Sequence, residues 1–264
     1  MSEPTRTTAA DPAAVAARLR AAGSVFAEEE AALLLAEGGD LEPLLARRIA
    51  GEPLEAVVGW AAFCGLRIAV EPQVFVPRRR TELLAREAAA ALPVGGTVVD
   101  LCCGTGAVAV AIAALAAPGE LLALDVEPAA VACARRNLEP LGGTVLLGDL
   151  FAPLPARLEG RVDVLAVNAP YVPTAGIATM PPEARDHEPH VALDGGPDGL
   201  TVHRRVAEEA PRWLAPGGTV LIETSDEQAE ATAALLAAAG LVVTIRHDEE
   251  IDGTVALGRR EGAR

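Results

Sequence analysis

Apolar and charged positions follow two different periods along the chain. Between about residues 11 and 48 the apolar positions recur at helical spacing, with two glycine-marked breaks, which predicts a small unit of helices. Ser24 and Asp40 are the predicted N-caps of its second and third helices, because either side chain can accept a backbone N–H. We assign residues 1–58 to this helical N-terminal domain and expect about the first ten to be disordered.

The pattern changes after the helical domain. Residues 59–80 carry short apolar runs between prolines, which indicates a hairpin that connects two domains. A helix is predicted at 81–92, where it opens a third and larger region, residues 81–264.

Short strands and helices alternate through this third region. The alternation is typical of an α/β fold with a doubly wound, mostly parallel sheet. The last two strands lie close together in the sequence, which indicates an antiparallel hairpin at one edge. Strands are predicted at 97–101, 121–125, 144–147, 162–167, 219–223, 241–246 and 254–258, and helices at 107–116, 128–138, 200–214 and 227–239. Residues 171–197 show little periodicity, and a loop of that length is usually functional.

The composition excludes several kinds of chemistry. Of 264 residues 51% are hydrophobic and only 3% aromatic, so the core is built mainly from aliphatic side chains. All 22 basic residues are arginine, which excludes a Schiff-base lysine and the lysine of a Walker-type phosphate loop. The net charge of −15 argues against a broad nucleic-acid interface, although residues 78–80 form a short basic run.

Cysteine and histidine positions predict neither a disulfide framework nor a metal site. The four cysteines lack CxxC spacing, and His187 and His190 lie in a loop without further convergent ligands. The adjacent Cys102 and Cys103 are interpreted either as redox-sensitive thiols or, preferably, as small lining residues. Since the sequence shows neither a signal peptide nor an apolar run that could span a bilayer, we expect a reduced, soluble, cytoplasmic protein without a membrane partner.

The first strand of the predicted sheet leads into a glycine-rich turn. Residues 98–106 read Val-Val-Asp-Leu-Cys-Cys-Gly-Thr-Gly, and Gly104 and Gly106 let the backbone approach a ligand beside a helix N-terminus. Asp125 ends the next strand, where a carboxylate can accept hydrogen bonds from ribose hydroxyls. Asp149 follows the third strand, where an acid can face an adenine amino group. Together these features predict a nucleoside-containing cofactor.

Two cofactors fit this turn. Residues 104–109 match the G-x-G-x-x-G/A fingerprint, so an NAD-dependent dehydrogenase is one interpretation. Asp100 favours S-adenosyl-L-methionine instead, because it places an acid where the ammonium group of that cofactor would lie. The fourth strand also ends in Asn-x-Pro-Tyr, which a dehydrogenase does not require.

This second motif, Asn168-Ala169-Pro170-Tyr171, lies at the carboxyl end of a strand, where open parallel sheets bind their ligands. An amide nitrogen is a poor nucleophile because its lone pair is delocalised. If the Asn168 side-chain oxygen and the Ala169 carbonyl each accept one N–H, that nitrogen is oriented toward a sulfonium methyl group. Pro170 makes the turn rigid, and Tyr171 offers a ring on which a planar acceptor can stack. The motif therefore predicts methylation of a planar amide or amine nitrogen.

An exocyclic amine of a nucleic-acid base is a second planar acceptor that such a site can hold. The base would have to be flipped out of its stack to reach the pocket. The acidic charge of the chain weighs against this interpretation. A cofactor-binding protein without catalytic activity is a further alternative.

Further segments extend the pattern over nearly the whole chain. They include Gly59-x-x-x-Phe63, residues 75–82 (Phe-Val-Pro-Arg-Arg-Arg-Thr-Glu), the pair Glu188-Pro189, and residues 192–200 (Ala-Leu-Asp-Gly-Gly-Pro-Asp-Gly-Leu). With the glycine turn and the Asn-x-Pro-Tyr motif, the chain resembles the HemK/PrmC family of protein-(glutamine-N5) methyltransferases, which modify peptide-chain release factors.

The resemblance implies a site for S-adenosyl-L-methionine next to a site for a glutamine side chain. Asn168, Ala169, Pro170 and Tyr171 would hold the glutamine. Together with the acids derived above, the expected cofactor-binding residues are Asp100, Cys102, Cys103, Gly104, Thr105, Gly106, Asp125, Asp149, Leu150 and Asn168. A protein substrate such as a release factor would bind through the N-terminal domain and residues 172–197.

Three departures from the family pattern mark the chain as a divergent member. Ala169 replaces the first proline of Asn-Pro-Pro-Tyr, although its backbone carbonyl is retained. Cys102 and Cys103 replace a smaller, more polar lead into the glycine turn, and Arg79-Arg80 replaces Pro-Asp. Another protein or a small molecule is therefore an alternative acceptor.

Overall fold

The structure, a computed structural model, describes residues 11–262. The chain divides into two compact units, Met1–Gly59 and Trp60–Arg264. The expected disorder of the first ten residues falls outside the described range.

Helices make up the first unit. Its described part contains α1 (Pro12–Ala21), α2 (Ala27–Glu37), α3 (Leu41–Ile49) and α4 (Leu54–Val58). The apolar faces of these helices meet in a core of their own, which burial of aliphatic side chains stabilises. This core includes Val15, Leu19, Ala31, Leu34, Leu45 and Val57.

One of the two predicted N-caps of this unit is confirmed. The Asp40 carboxylate accepts a hydrogen bond from the Glu42 N–H at 3.3 Å and caps α3. The prediction for Ser24 is wrong, because α2 begins only at Ala27. The Ser24 N–H instead donates to the Leu19 carbonyl, so Ser24 closes the C-terminal turn of α1.

The second unit opens with an antiparallel hairpin, as predicted. Strands β1 (Trp60–Phe63) and β2 (Leu66–Ala69) pair through a turn at Cys64 and Gly65, both of which have positive φ. Phe63 is fully buried in an apolar cluster shared with helices of this unit. The hairpin is therefore packed onto the second unit rather than extended as a linker.

A twisted sheet lies at the centre of the second unit, in the order β5-β4-β3-β6-β7-β9-β8. Strands β3 to β7 are parallel, whereas β9 pairs antiparallel with both β7 and β8. This confirms the doubly wound, mostly parallel sheet with a hairpin at one edge. The strands are β3 (Thr97–Leu101), β4 (Glu120–Asp125), β5 (Thr144–Leu147), β6 (Val162–Val167), β7 (Leu214–Glu223), β8 (Val242–Asp248) and β9 (Gly253–Arg259).

Helices cover both faces of this sheet. They are α5 (Glu82–Ala91), α6 (Ala107–Ala116), α7 (Pro128–Leu138), α9 (Thr201–Trp213) and α10 (Ala229–Ala238). A short helix, α8 (Pro182–His187), lies in the segment between β6 and α9. Successive residues of a strand point to opposite faces, so Val98 packs with α5, α6 and α7, whereas Val99 packs in the cluster that contains α9 and α10. Burial on both faces explains why these strands are continuously apolar in the sequence.

Two segments differ from the prediction. β7 begins at Leu214 rather than at residue 219, because a bulge against β6 accommodates the Pro-Gly-Gly sequence that indicated a turn. Residues 172–197 are not a plain loop; they contain α8 and 3₁₀ turns at Thr174–Thr179 and His190–Ala192. Helical turns this short leave no period that residue spacing could detect. Within residues 11–262, no helix has the length and apolar character needed to cross a membrane.

Candidate active site

Three parallel strands end at the same level of the sheet. Leu101 of β3 pairs with Leu124 of β4 on one side and with Val167 of β6 on the other. The last residue of β4 therefore lies at the same end of the sheet as the residues that follow β3 and β6. A cavity of about 300 Å³ opens there.

Most of the residues predicted for the site line this cavity. They are Asp100, Cys102, Cys103, Gly104, Thr105, Asp125, Asp149, Leu150, Asn168, Ala169, Pro170 and Tyr171. Gly106 does not line the cavity. It has a φ of +77°, and a Cβ on it would lie 3.1 Å from the Leu138 side chain, so it allows α6 to pack closely on α7.

The glycine turn is held by the strand beside it. The Gly104 N–H donates to Asp125 Oδ2 at 2.8 Å, and the Glu127 N–H donates to Asp125 Oδ1 at 2.9 Å. A carboxylate has about four acceptor positions, so Asp125 can still accept a hydrogen bond from a ligand. Burial raises the pKa of Asp125, since the charged form loses solvation at the cavity.

Asp100 is a buried acid with one satisfied oxygen. Its Oδ2 accepts the Ala109 N–H at 3.1 Å, whereas Oδ1 has no partner within residues 11–262. Burial raises the pKa of Asp100 to about 8. Because an unpartnered buried oxygen is costly, this oxygen fits a cationic or N–H donor ligand in the cavity.

Asp149 and Leu150 complete this side of the cavity. Asp149 Oδ2 lies 2.6 Å from the Arg205 guanidinium, and both side chains are about half exposed. Leu150 is buried and has a positive φ of 46°. The acid predicted to face an adenine amino group therefore lies at the exposed part of the site, in an ion pair.

The thiols of Cys102 and Cys103 lie in the same turn. Burial raises the pKa of both, and nearby acids raise it further. Since the thiolate is the reactive form, this environment disfavours the redox interpretation and favours two small lining residues.

The Asn168 side chain has a defined orientation. Its Nδ2 donates to Thr81 Oγ1 at 3.4 Å, and its Oδ1 has no hydrogen-bond partner in the described chain. Ala169 is buried as a residue yet lines the cavity. Two oxygen acceptors on adjacent residues are therefore available at the end of β6.

Tyr171 is held from three directions. Its hydroxyl donates to Glu223 Oε1 at 3.2 Å, the Arg80 guanidinium lies 5.8 Å from its ring, and Gln228 donates to its carbonyl at 3.1 Å. Burial raises the pKa of Tyr171, so the phenol stays protonated as a donor. The ring is fixed by these contacts before any ligand binds.

Glu223 does not line the cavity but positions two residues that do, Tyr171 and Arg80, and the sequence did not predict this role. It ends β7 in a buried position, and Arg80 lies 3.5 Å from its Oε1. Burial raises its pKa, and Thr81, Arg80 and Tyr171 oppose that rise. The signal was present, since Glu223 is a polar residue at the carboxyl end of a strand, as Asp125 is.

Residues 188–199 fold back beside the Asn-x-Pro-Tyr motif. The Val172 N–H donates to the Leu193 carbonyl at 3.1 Å, and the Gly195 N–H donates to the Val172 carbonyl at 2.9 Å. A Cβ on Gly195 would lie 2.7 Å from the Tyr171 Cα. This explains the glycine-rich sequence of the segment, because side chains there would push against the motif. Within the described range, no three His, Cys, Asp or Glu side chains form a group that could hold a metal ion.

Known proteins resemble the chain both in sequence and in fold. The Methyltransferase small domain family matches residues 66–180. A release factor glutamine methyltransferase of Geobacter sulfurreducens is 40% identical over 194 residues, which are 73% of this chain and 67% of that protein. A 4-amino-L-phenylalanine/4-methylamino-L-phenylalanine methyltransferase of Streptomyces pristinaespiralis is 40% identical over 196 residues, 72% of this chain and 66% of that protein.

The solved structures agree on the fold. A methyltransferase from Pyrococcus furiosus aligns with a TM-score of 0.57 and 20% identity, over 83% of this chain and 98% of that one. The relatives in sequence confirm the predicted methyltransferase and do not support the dehydrogenase interpretation. With 40% identity over 67% of the Geobacter protein, the chain belongs to the family of release factor glutamine methyltransferases, which are S-adenosylmethionine-dependent enzymes.

Proposed function

We propose that the chain transfers a methyl group from S-adenosyl-L-methionine to the side-chain amide nitrogen of a glutamine in a protein, with a peptide-chain release factor as the first acceptor to test. The observation that carries the proposal is a pair of acceptors in the same cavity as the glycine turn, Asn168 Oδ1 and the Ala169 carbonyl, neither of which accepts a hydrogen bond from residues 11–262.

The residues around the glycine turn fit the cofactor. When bound, S-adenosyl-L-methionine supplies a methyl group on a positively charged sulfur, which is open to attack by a nucleophile. We assign its ammonium group to the unpartnered Asp100 oxygen and its ribose hydroxyls to the remaining acceptor capacity of Asp125. The backbone from Cys102 to Gly106 would hold its amino-acid part, and Asp149 and Leu150 would border its base.

The acceptor residues act by orienting an amide group. A primary amide has two N–H donors, and Asn168 and Ala169 offer two oxygens at the end of one strand. Accepting both N–H groups fixes the plane of the amide and directs the nitrogen toward the methyl group. The same oxygens stabilise the positive charge that develops on nitrogen. The nitrogen becomes acidic only after methyl transfer, so these residues need no base beforehand.

Ala169 does not weaken this arrangement. The acceptor at this position is a backbone carbonyl, which alanine carries as well as proline does. Its side chain is buried, and Pro170 still limits the flexibility of the turn. We therefore expect the alanine to be compatible with amide methylation.

A protein substrate would use more of the surface than the cavity alone. We propose the helical unit, residues 1–58, and residues 172–197 as the parts that contact it. Several arginines, including the run at residues 78–80, form ion pairs with acids, which argues against a nucleic-acid substrate. The pairs are Arg78–Glu188, Arg79–Glu250, Arg80–Glu223, Arg136–Glu71, Arg204–Asp198 and Arg205–Asp149.

A small aromatic amine is the second candidate acceptor. It is favoured by the 40% identity to a protein named as a methyltransferase of 4-amino-L-phenylalanine. The fixed ring of Tyr171 would also suit a planar aniline.

Labelled cofactor distinguishes the two acceptors. The purified chain is incubated with methyl-labelled S-adenosylmethionine and either release factor or 4-amino-L-phenylalanine, and labelled protein is mapped by peptide mass spectrometry. We expect label on one glutamine of the release factor. Label on the amino acid alone would replace the proposed acceptor, and calorimetric binding of NAD without S-adenosylmethionine would contradict methyl transfer altogether.

A further inference from the structure

Glu188 lines the cavity but has no part in the chemistry described above. Its side chain is 1% exposed. Its Oε1 accepts the Val76 N–H at 3.1 Å and the Arg78 guanidinium at 2.6 Å. Its Oε2 is buried and has no hydrogen-bond partner among residues 11–262. A buried carboxylate oxygen left in this state is costly, so a ligand that donates a hydrogen bond would be favoured there.

The position of Glu188 points to the acceptor rather than the cofactor. It belongs to the segment that folds back on Val172, directly after the Asn-x-Pro-Tyr motif. In the same cavity, Asp100 already offers a buried oxygen without a partner among residues 11–262 for the single ammonium group of the cofactor. The Glu188 oxygen is therefore assigned to the second ligand, the methyl acceptor.

Local charge selects the kind of donor. The Arg78 guanidinium balances the Glu188 carboxylate, so a second cation beside it is not required. Burial raises the pKa of Glu188, and a donated N–H would favour the ionised form again. A neutral N–H therefore suits Oε2 better than a free ammonium group does.

We propose that Glu188 is a specificity-determining residue whose Oε2 accepts a backbone N–H of the acceptor peptide next to the glutamine. This inference rests on the proposed function, since only an acceptor within a polypeptide carries such an N–H on each side. Glu188 would then select a glutamine in a chain over a free amino acid.

The substitution E188Q tests this contact with little change of shape. Val76 and Arg78 are both donors, so the amide oxygen of the new glutamine can accept their hydrogen bonds as Oε1 does. The NH₂ group of the glutamine then takes the place of Oε2. We expect the KM for release factor to rise about 10- to 100-fold, because a donor then faces a donor. The kcat and the dissociation constant for S-adenosylhomocysteine should stay within about threefold of wild type.

E120Q is the matched control. It makes the same change of glutamate to glutamine, but Glu120 begins β4, at the opposite end of that strand from Asp125, and pairs with Arg157 at the surface. Its KM should equal that of wild type. An unchanged KM in E188Q, or a loss confined to S-adenosylhomocysteine binding, would overturn the role of Glu188.

A change in the acceptor gives an independent test on the wild-type enzyme. In peptides that span the mapped glutamine, the N–H of the glutamine or of the next residue is replaced by an ester oxygen. We expect one of these esters to lose about 10- to 100-fold in kcat/KM, or in inhibition of transfer to release factor, relative to the parent peptide. In E188Q the parent and that ester should differ by less than about threefold.

The outcomes separate the two proposals. No transfer from the wild-type enzyme to release factor would overturn the proposed function. If release factor is methylated but both esters and the parent peptide give the same kcat/KM or the same inhibition, only the Glu188 contact is overturned. A parent peptide that is neither methylated nor inhibitory would also count against it, because a contact next to the glutamine must be available to a short peptide.

Discussion

Asn168 is the side chain on which amide methylation depends most directly. The Thr81 hydroxyl binds its Nδ2, which leaves Oδ1 for the acceptor. Replacing Asn168 with alanine removes that oxygen and leaves the buried strand β6 intact. We expect kcat/KM to fall by about 10²- to 10³-fold or more, as for the loss of a group that orients the reacting atoms.

Steady-state transfer to release factor measures this loss, and binding of S-adenosylhomocysteine reports whether the site is still folded. The thermal midpoint should change little, because Asn168 is only partly buried. An N168A variant that keeps at least half of the wild-type rate would show that another group positions the acceptor.

Asp100 links the cofactor site to stability through its pKa. The folded protein raises that pKa to about 8, from an ordinary value near 4, so the folded state binds a proton that the unfolded state releases. The stability from this group is therefore full below about pH 4 and is lost as the pH rises to about 8. An asparagine at this position does not titrate, so its contribution to stability does not depend on pH.

The variant D100N should therefore gain stability over the ligand-free wild type as the pH rises. We expect the difference in free energy of unfolding to widen by at most about 1.4 kcal/mol per pH unit up to pH 8 and then to level off. Urea denaturation between pH 5 and 9 measures it, and the same variant should bind S-adenosylhomocysteine about 10- to 100-fold more weakly. A difference that does not vary with pH would show that Asp100 is ionised throughout.

At the scale of elements, close packing against the Asn-x-Pro-Tyr motif explains why the segment after α8 is rich in glycine. Gly199 has a φ of +77°, and a Cβ on it would lie 2.3 Å from both the Tyr171 carbonyl and the Gln228 side chain. G199A should push the Asn-x-Pro-Tyr motif away from its position. We expect a loss of about 2–4 kcal/mol in unfolding free energy and a fall in kcat/KM of about 10-fold or more.

G142A separates this contact from backbone strain. Gly142 has a similar φ of +72°, but a Cβ on it meets nothing within 4 Å. Its substitution should cost only about 1 kcal/mol and leave activity unchanged. Denaturation and steady-state rates of both variants give the comparison. If G199A and G142A lose equal unfolding free energy and equal activity, the positive φ alone, and not the contact with Tyr171, requires glycine at residue 199.

The elements also show what sequence could and could not predict. Period and turn residues predicted the alternation of strands and helices, because both faces of the sheet are apolar. They could not show that β9 lies between β7 and β8, since pairing order depends on tertiary packing. Asp125 and Asn168 were predicted because they lie at the carboxyl ends of strands in the expected places. Glu223 also ends a strand, but the sequence could not show that it contacts Tyr171 and Arg80, because those contacts depend on tertiary packing.

At the scale of the whole molecule, the helical unit and the sheet unit have separate core residues in the part of the chain that the structure describes. The described residues of the helical core lie between Val15 and Val57, whereas the two clusters around the sheet draw on residues from Phe63 onward. Every residue that lines the cavity also belongs to the second unit. Folding and cofactor binding should therefore be properties of the second unit, while docking of a large substrate can depend on the first.

A chain that starts at Gly59 tests this division. We expect it to unfold in one cooperative step and to bind S-adenosylhomocysteine within about threefold of the full chain, because its core and cavity are retained. Its kcat/KM for release factor should fall about 10-fold or more, mainly through KM, because the proposed docking surface is lost, whereas a short glutamine peptide should be methylated as before. Calorimetry and rates on both acceptors make the comparison. Loss of cofactor binding would show that the helical unit supports the sheet domain, and an unchanged rate on release factor would show that the substrate docks elsewhere.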